Sequence, residues 1–331
     1  MRYLLRRIGF YLIALWASVT MNFIIPRLMP GDPAEAMIAK MQGQQTVTAY
    51  QLQALRVELG VNTTDPLPVQ YWDYLNNLAH GNLGLSSVNF PHTVVSVIGE
   101  HLPWTIGLMA VAVTLSFIVG TLVGIVTAWR RGGVLDSTLP PVLTFISAIP
   151  YFWMALALVY TLGFLLNWFP ISDGYDIYNT SPGFNLPFLL SVLRYGCLPV
   201  ITIMLGSLAG WVLPMRNTMV TTLSEDYVLM AQAKGLSERR VMISYAARNA
   251  VLPSVTSFSM SLALIVGGSL LTETVFNYPG IGLTLFSAVE GHDYGLIQGC
   301  FLVIAVTVLV ANFLSDLLYT ALDPRVRQGR S

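Results

Sequence analysis

The chain has 331 residues, of which 54% are apolar and only 10% are Asp, Glu, Lys or Arg, with a formal net charge of zero. Soluble domains carry roughly 25% charged residues, so an ordinary water-exposed surface is excluded and the lipid bilayer becomes the expected solvent. Its only lysines, Lys40 and Lys234, stand in no Gly-Lys-Ser/Thr step, which excludes an ATPase-type phosphate loop.

Other function classes fall away on the same count. Zero net charge without a basic block excludes a nucleic-acid footprint. His80, His92, His101 and His292 have no zinc-ligand spacing, so no metal is expected. Cys197 and Cys300 lie in apolar runs, where buried thiols are expected.

A hydrocarbon core about 30 Å thick takes roughly 20 apolar residues per crossing helix. Six charge-free windows meet that length: 8–26, 102–129, 137–172, 195–215, 249–272 and 294–315. The basic start and first apolar run imitate a signal peptide. That run ends Ile25-Pro26-Arg27-Leu28-Met29-Pro30, which offers no small-x-small cleavage site, so an uncleaved first span is expected. Residues 29–101 are too polar to span and too long for a simple connection. They read as a folded cap of short helices, with turns at Gly60, Pro66, Pro68, Gly81 and Gly84.

The third window is longer than a span needs. Pro140-Pro141 and Asn167-Trp168-Phe169-Pro170 suggest interfacial edges, giving a span over about 139–168. Residues 177–193 are interrupted by Pro182, Gly183 and Pro187 and read as an external loop with a short surface helix. With six spans and the N-terminus inside, thirteen of the seventeen basic residues fall on inner segments. Only Arg27, Lys40, Arg56 and Arg194 fall outside, so both termini are expected in the cytoplasm.

The inner segment 216–253 carries the most local information. Thr222 and Glu225 have capping-box spacing. Glu225 and Asp226 suit the positive end of a helix running from Tyr227 to Lys234, and Gly235 suits its left-handed C-terminal cap. Ser237 is placed to cap a second helix containing Glu238, Val241, Met242, Tyr245 and Ala246, and Pro253 opens the fifth span. The pattern fits an amphipathic helix lying on headgroups. The small residues Ala231, Ala233 and Gly235 instead favour close approach of another protein.

This loop resembles the signature loop of permease subunits in bacterial ABC importers, a Glu-Ala-Ala run followed by Gly and then Leu-Pro. The resemblance is to the dipeptide/oligopeptide branch. It is carried by Asp226-Tyr227 and Ala231, Ala233-Lys234-Gly235-Leu236-Ser237-Glu238-Arg239-Arg240 and Arg248-Asn249-Ala250-Val251-Leu252-Pro253. Matching stretches extend along the chain: Arg2-Tyr3-Leu4-Leu5-Arg6-Arg7, Met29-Pro30-Gly31-Asp32-Pro33, Leu59-Gly60, Pro68-Val69-Gln70-Tyr71, Gly81-Asn82-Leu83-Gly84, Phe276-Asn277-Tyr278-Pro279-Gly280-Ile281-Gly282 and Asp323-Pro324-Arg325. Two departures are Asn82, where the branch often has Asp, and Asp226-Tyr227, where the signature's two Ala would fall.

The resemblance implies an all-α membrane permease of six transmembrane helices with cytoplasmic termini. Its parts are a first span (1–28), an extracytoplasmic helical cap (29–101) and a core (102–331). The core spans run over about 103–129, 139–168, 195–215, 250–272 and 294–316, with the coupling loop at 216–253. It also implies a second homologous permease subunit, two ABC ATPase subunits that bind ATP and Mg, and an extracytoplasmic solute-binding protein. No cofactor is expected in this chain and no enzymatic activity. Glu225, Asp226, Tyr227, Ala231, Ala233, Lys234, Gly235, Ser237 and Arg239 are the candidates for coupling to the ATPase.

Trp153, Trp168 and Glu273 are candidates for the substrate path. The plainer readings are packing or interfacial belt for the two Trp residues and structural pairing for Glu273. Pro279-Gly280-Ile281-Gly282 reads as a tight turn outside span five, a shaping element and not a phosphate cradle, since no helix-opening Gly-rich pattern follows. The solute stays open between short peptides and oligosaccharides, with nickel complexes a lesser alternative. A self-sufficient carrier or channel is disfavoured because the six windows hold no ion-coupling carboxylate or basic group.

Overall fold

The computed structural model describes residues 2–28, 65–263 and 270–322. The turn at Gly60, most of the cap, residues 264–269 of the fifth window and the Asp323-Pro324-Arg325 stretch lie outside the described residues. Those described are helical, apart from loops and one isolated antiparallel bridge between Leu85 and Thr93. In chain order the longer helices are α1 (Arg2–Leu28), α2 (Leu67–Ala79), α3 (Val94–Trp129), α4 (Val134–Ala148) and α5 (Tyr151–Leu158, continuing as a π-helix Val159–Leu165). They are followed by α6 (Leu186–Leu223), α7 (Asp226–Ala233), α8 (Leu252–Ala263), α9 (Leu270–Val275), α10 (Ile281–Glu290) and α11 (Tyr294–Leu322).

Among the described residues, four helices are long and apolar enough to cross a membrane: Arg7–Ile25 within α1, all of α3, all of α6 and Tyr294–Phe313 within α11. Three window boundaries differ from expectation. α3 begins at Val94, so the expected division at residue 101 falls inside a helix. α6 begins at Leu186, which removes the external loop expected over its last residues. There Pro187 occupies the first turn, where its missing N–H costs nothing, and the Asn185 side chain accepts the Phe188 N–H at 2.9 Å. Proline opens this helix instead of interrupting it.

The third window is the largest correction. It is not one continuous span but α4 and α5 with its π-helix, bent by 98° at the break between them. Pro150 lacks an N–H and disfavours helical geometry at the residue before it, and Ile149 is extended at φ −73°, ψ 125°. Counted as one broken span, this pair makes a fifth.

The described residues fall into two compact units. One holds 2–28, 65–106, 270–274 and 279–314; the other holds 107–263, 275–278 and 315–322. In the first unit, Val94, Val97 and Ile98 of α3 pack with Ile281 and Leu285 of α10 and with Leu296, Ile297 and Cys300 of α11. Cys300 is fully buried, as its apolar setting foretold, whereas Cys197 on α6 is only half-buried. The Asn22 amide donates to the Gln298 carbonyl at 2.6 Å, joining α1 to α11. The Tyr71 and Tyr74 rings of α2 lie 5.1 and 5.5 Å from that of Phe23. Asp293 caps α11, accepting the Leu296 N–H at 2.9 Å. It also holds the loop before α3 through Ser86 Oγ at 2.6 Å and the Val88 N–H at 2.9 Å.

In the second unit, α3 and α6 approach closely through Gly120 and Gly124. A Cβ built at Gly120 would lie 2.4 Å from Trp211 Cβ, and one at Gly124 would lie 2.8 Å from the Val212 carbonyl oxygen. Phe117 stacks on Phe258 with ring centroids 4.4 Å apart, joining α3 to α8.

Candidate functional site

The 216–253 loop is a two-armed elbow built on the end of α6, within the second unit. α6 continues past Met215 through Leu223, so Thr222 is its last-turn residue and donates Oγ1 to the Thr218 carbonyl at 2.8 Å. The expected capping box therefore does not form. Glu225 is the N-cap residue of α7, in extended geometry, and its side chain makes no capping bond. Its carbonyl accepts the Val228 N–H at 2.9 Å and starts the helix. Asp226 sits in the first turn, where a negative charge suits the helix dipole.

The far end of α7 follows the expected stop. Lys234 is the C-cap and Gly235 has φ +71°. The Gly235 N–H donates to the Gln232 carbonyl at 2.9 Å and the Leu236 N–H to the Ala231 carbonyl at 3.4 Å. These two bonds are the Schellman pair, which needs a left-handed residue at the glycine position. Leu236 then tucks against the cluster beneath α7, supplying the apolar contact that accompanies this motif.

The second arm starts at Ser237, whose carbonyl accepts the Arg240 and Val241 N–H groups at 2.9 and 3.0 Å. Its side chain makes no capping bond. The arm is a π-helix, Val241–Ala247, between single turns Glu238–Arg240 and Arg248–Ala250. Tyr227 Oη accepts from the Asn249 amide at 2.8 Å, tying the two arms together.

The underside of the elbow is a core in its own right. Val228 and Ala231 of α7 and Val241, Ala246, Ala247 and Ala250 of the second arm pack on Ala128 of α3 and on Met215 and Met219 of α6. This corrects one inference. Ala231 is only 2% exposed, so its small size serves packing within the chain and not approach by a partner. The outward surface includes Glu225, Asp226, Tyr227, Leu229, Met230, Ala233, Lys234, Gly235, Ser237 and Arg239, with Met230 60% exposed. Leu229 and Met230 are not among the sequence candidates for coupling, although apolar residues on the open face of a polar loop are a signal for a partner.

The path candidates separate by environment. Trp153 on α5 and Trp168 just beyond the π-helix are exposed, at 59% and 62%. Glu273 is fully enclosed in the first unit. Its Oε1 accepts Thr105 Oγ1 at 2.8 Å and its Oε2 accepts the Gly282 N–H at 2.6 Å. Thr105 Oγ1 in turn accepts the Ile281 N–H at 2.8 Å. The Gly280–Gly282 turn does open a helix, α10, contrary to expectation, and the free N–H groups at its start are taken by the chain's own carboxylate. Both Glu273 oxygens are spent on internal donors, so a passing solute would meet no free face of this group. Thr105 lies 168 residues away in sequence, and no local signal connects the two.

Residues 1–117 match the family described as binding-protein-dependent transport system membrane component, N-terminal, and residues 120–328 match the binding-protein-dependent transport system inner membrane component. The chain belongs to this family. A Brucella suis protein described as a peptide permease is 37% identical over 327 residues, covering 99% of each chain. The di/tripeptide transport system permease protein DppB of Pseudomonas aeruginosa is 34% identical, again over 99% of each chain. The oligopeptide transport system permease protein AppB of Bacillus subtilis is 32% identical over 98% of each. As a binding-protein-dependent inner membrane component, the protein is a multi-pass permease of the cytoplasmic membrane and not an enzyme.

Proposed function

We propose that this chain is one of two homologous membrane subunits of an ATP-driven importer of short peptides. Two ATPase subunits dock beneath the pair and an extracytoplasmic binding protein delivers the solute. The observation that carries the reading is the elbow at Gly235, a rigid, internally packed arm presenting Leu229, Met230, Lys234 and Arg239 outward. ATP and Mg belong to the ATPase subunits, and this chain supplies the conduit and the lever. The peptide class is supported by the names of the relatives, which match over almost the whole chain. Glu273 serves as an internal brace, while the exposed Trp153 and Trp168 face lipid, a partner subunit or the path.

Gly235 provides the test of coupling. A Cβ there would meet nothing within 4 Å, so substitution acts only through the φ of +71°. The left-handed conformation costs about 1–2 kcal/mol for residues with a Cβ. Gly235→Val should therefore leave the complex assembled but abolish solute-stimulated ATP hydrolysis and uptake of labelled di- and tripeptides by proteoliposomes. Normal stimulation in that variant would refute the docking role. Uptake of an oligosaccharide with no peptide uptake would refute the substrate class and leave the importer standing.

The same proposal places six spans in the membrane with both termini in the cytoplasm and residues 29–101 facing outward up to the start of α3. In a background lacking Cys197 and Cys300, Met230→Cys and Gln328→Cys should react with an impermeant maleimide only from the cytoplasmic side. Asn62→Cys should react only from outside. Labelling of all three from one side would refute the arrangement.

A further inference from the structure

Outside the elbow and the Glu273 brace, the second unit holds a charged pair with no assigned role. Arg216 Nε of α6 and Asp136 Oδ1 of α4 are 2.6 Å apart, with side chains 24% and 9% exposed. The other Asp136 oxygen, Oδ2, accepts the Gly132 N–H at 3.0 Å. Gly132 has φ +78° in the turn between α3 and α4. The guanidinium is held from its own side as well, since Nη1 donates to Asn217 Oδ1 at 3.1 Å. Each partner is thus anchored to a different corner of the unit before the two meet.

The position of the pair matters more than its strength. Met215 and Met219, on either side of Arg216 in sequence, are fully buried in the cluster that seats Val228 and Ala231 of the elbow. Farther along α6, Leu143 of α4 packs against Ala209 and Val212. That contact is apolar and non-directional, so it allows two helices to slide. A short charge-assisted bond between pre-anchored partners is directional and sets register. It lies between the slippery α4–α6 contact and the elbow, where a displacement of the elbow would enter.

We propose that Asp136 and Arg216 form a positioning link that makes the α3–α4 corner follow the elbow, carrying its displacement into the broken α4–α5 pair. This rests on the coupling role of the elbow proposed above. The link binds neither ATP nor solute, so it acts on the transmission of motion and leaves basal hydrolysis alone.

The test uses the reconstituted complex with its ATPase subunits and binding protein. Basal and solute-stimulated ATP hydrolysis are measured for Asp136→Asn, Arg216→Gln and the exchanged pair Asp136→Arg with Arg216→Asp. Each single variant should keep the basal rate and lose at least about 5-fold of the stimulation, the low end of ordinary coupling factors. The exchanged pair should recover stimulation above either single variant. Its recovery is partial, because an arginine at 136 cannot accept the Gly132 N–H.

Wild-type stimulation in both single variants would overturn the link, as would an exchanged pair no better than they are. A parallel fall of basal and stimulated rates would make the pair merely structural. Gly235→Val in the same assay separates the two readings: if it uncouples while the Asp136 and Arg216 variants do not, the link fails and the elbow stands.

Discussion

Glu273→Ala is expected to destabilise the permease by about 3 kcal/mol or more, because it strands several buried groups at once. The Gly282 N–H and the Thr105 hydroxyl would lose an acceptor, and an unsatisfied buried donor costs about 1–3 kcal/mol. The carboxylate also occupies the space that side chains at 280 and 282 would need: a Cβ at Gly280 would lie 2.3 Å from Oε2, and one at Gly282 would lie 2.9 Å from it. Its removal opens a void where α3, α9 and α10 meet. Thermal unfolding of the detergent-solubilised complex checks this, and an unchanged melting temperature would refute the brace. Thr105→Val should reproduce part of the loss through the missing hydroxyl, and Thr105→Ser should not.

Gly124→Val should be comparably damaging for the opposite reason, excess volume. The added side chain meets the Val212 carbonyl at 2.8 Å and Met215 Cβ at 2.8 Å, and backbone cannot step aside as the end of a flexible side chain can. Overpacking of this kind costs roughly 1–3 kcal/mol or more, and here it forces α3 away from α6. Met215 belongs to the cluster seating the elbow, so coupling should fall together with stability. Gly210→Ala is the control: its Cβ meets nothing within 4 Å, and the residue is exposed on α6, the helix that Gly124 faces. Gly210→Ala should melt like the wild type and keep solute-stimulated hydrolysis. Equal behaviour of Gly124→Val and Gly210→Ala in those assays would refute the close-contact argument.

Membrane character, the absence of an ATPase loop and the stop signal at Gly235 were all legible along the chain, because each depends on composition or on neighbours a few residues apart. Lys234-Gly235-Leu236 puts a glycine where a helix stop needs the left-handed conformation, and four of the six apolar windows lie in long helices. The family, too, could be read from linked motifs spread over the whole length.

Tertiary packing decided the rest. Thr222 has the spacing of a cap, but α6 runs through it and uses its hydroxyl. Pro187 and Pro150 are the same residue with opposite outcomes, one opening a helix and the other breaking a span, according to where the helix around each begins. Ala231 has the small size of a docking residue, but its helix lies on Met215 and Met219, which bury it. Glu273 and Thr105, or Asp136 and Arg216, meet only after long stretches of chain have been folded back. Local pattern records which residues are able to cap, turn or span. Which of them do so depends on the donors and volumes that other helices bring to the same place.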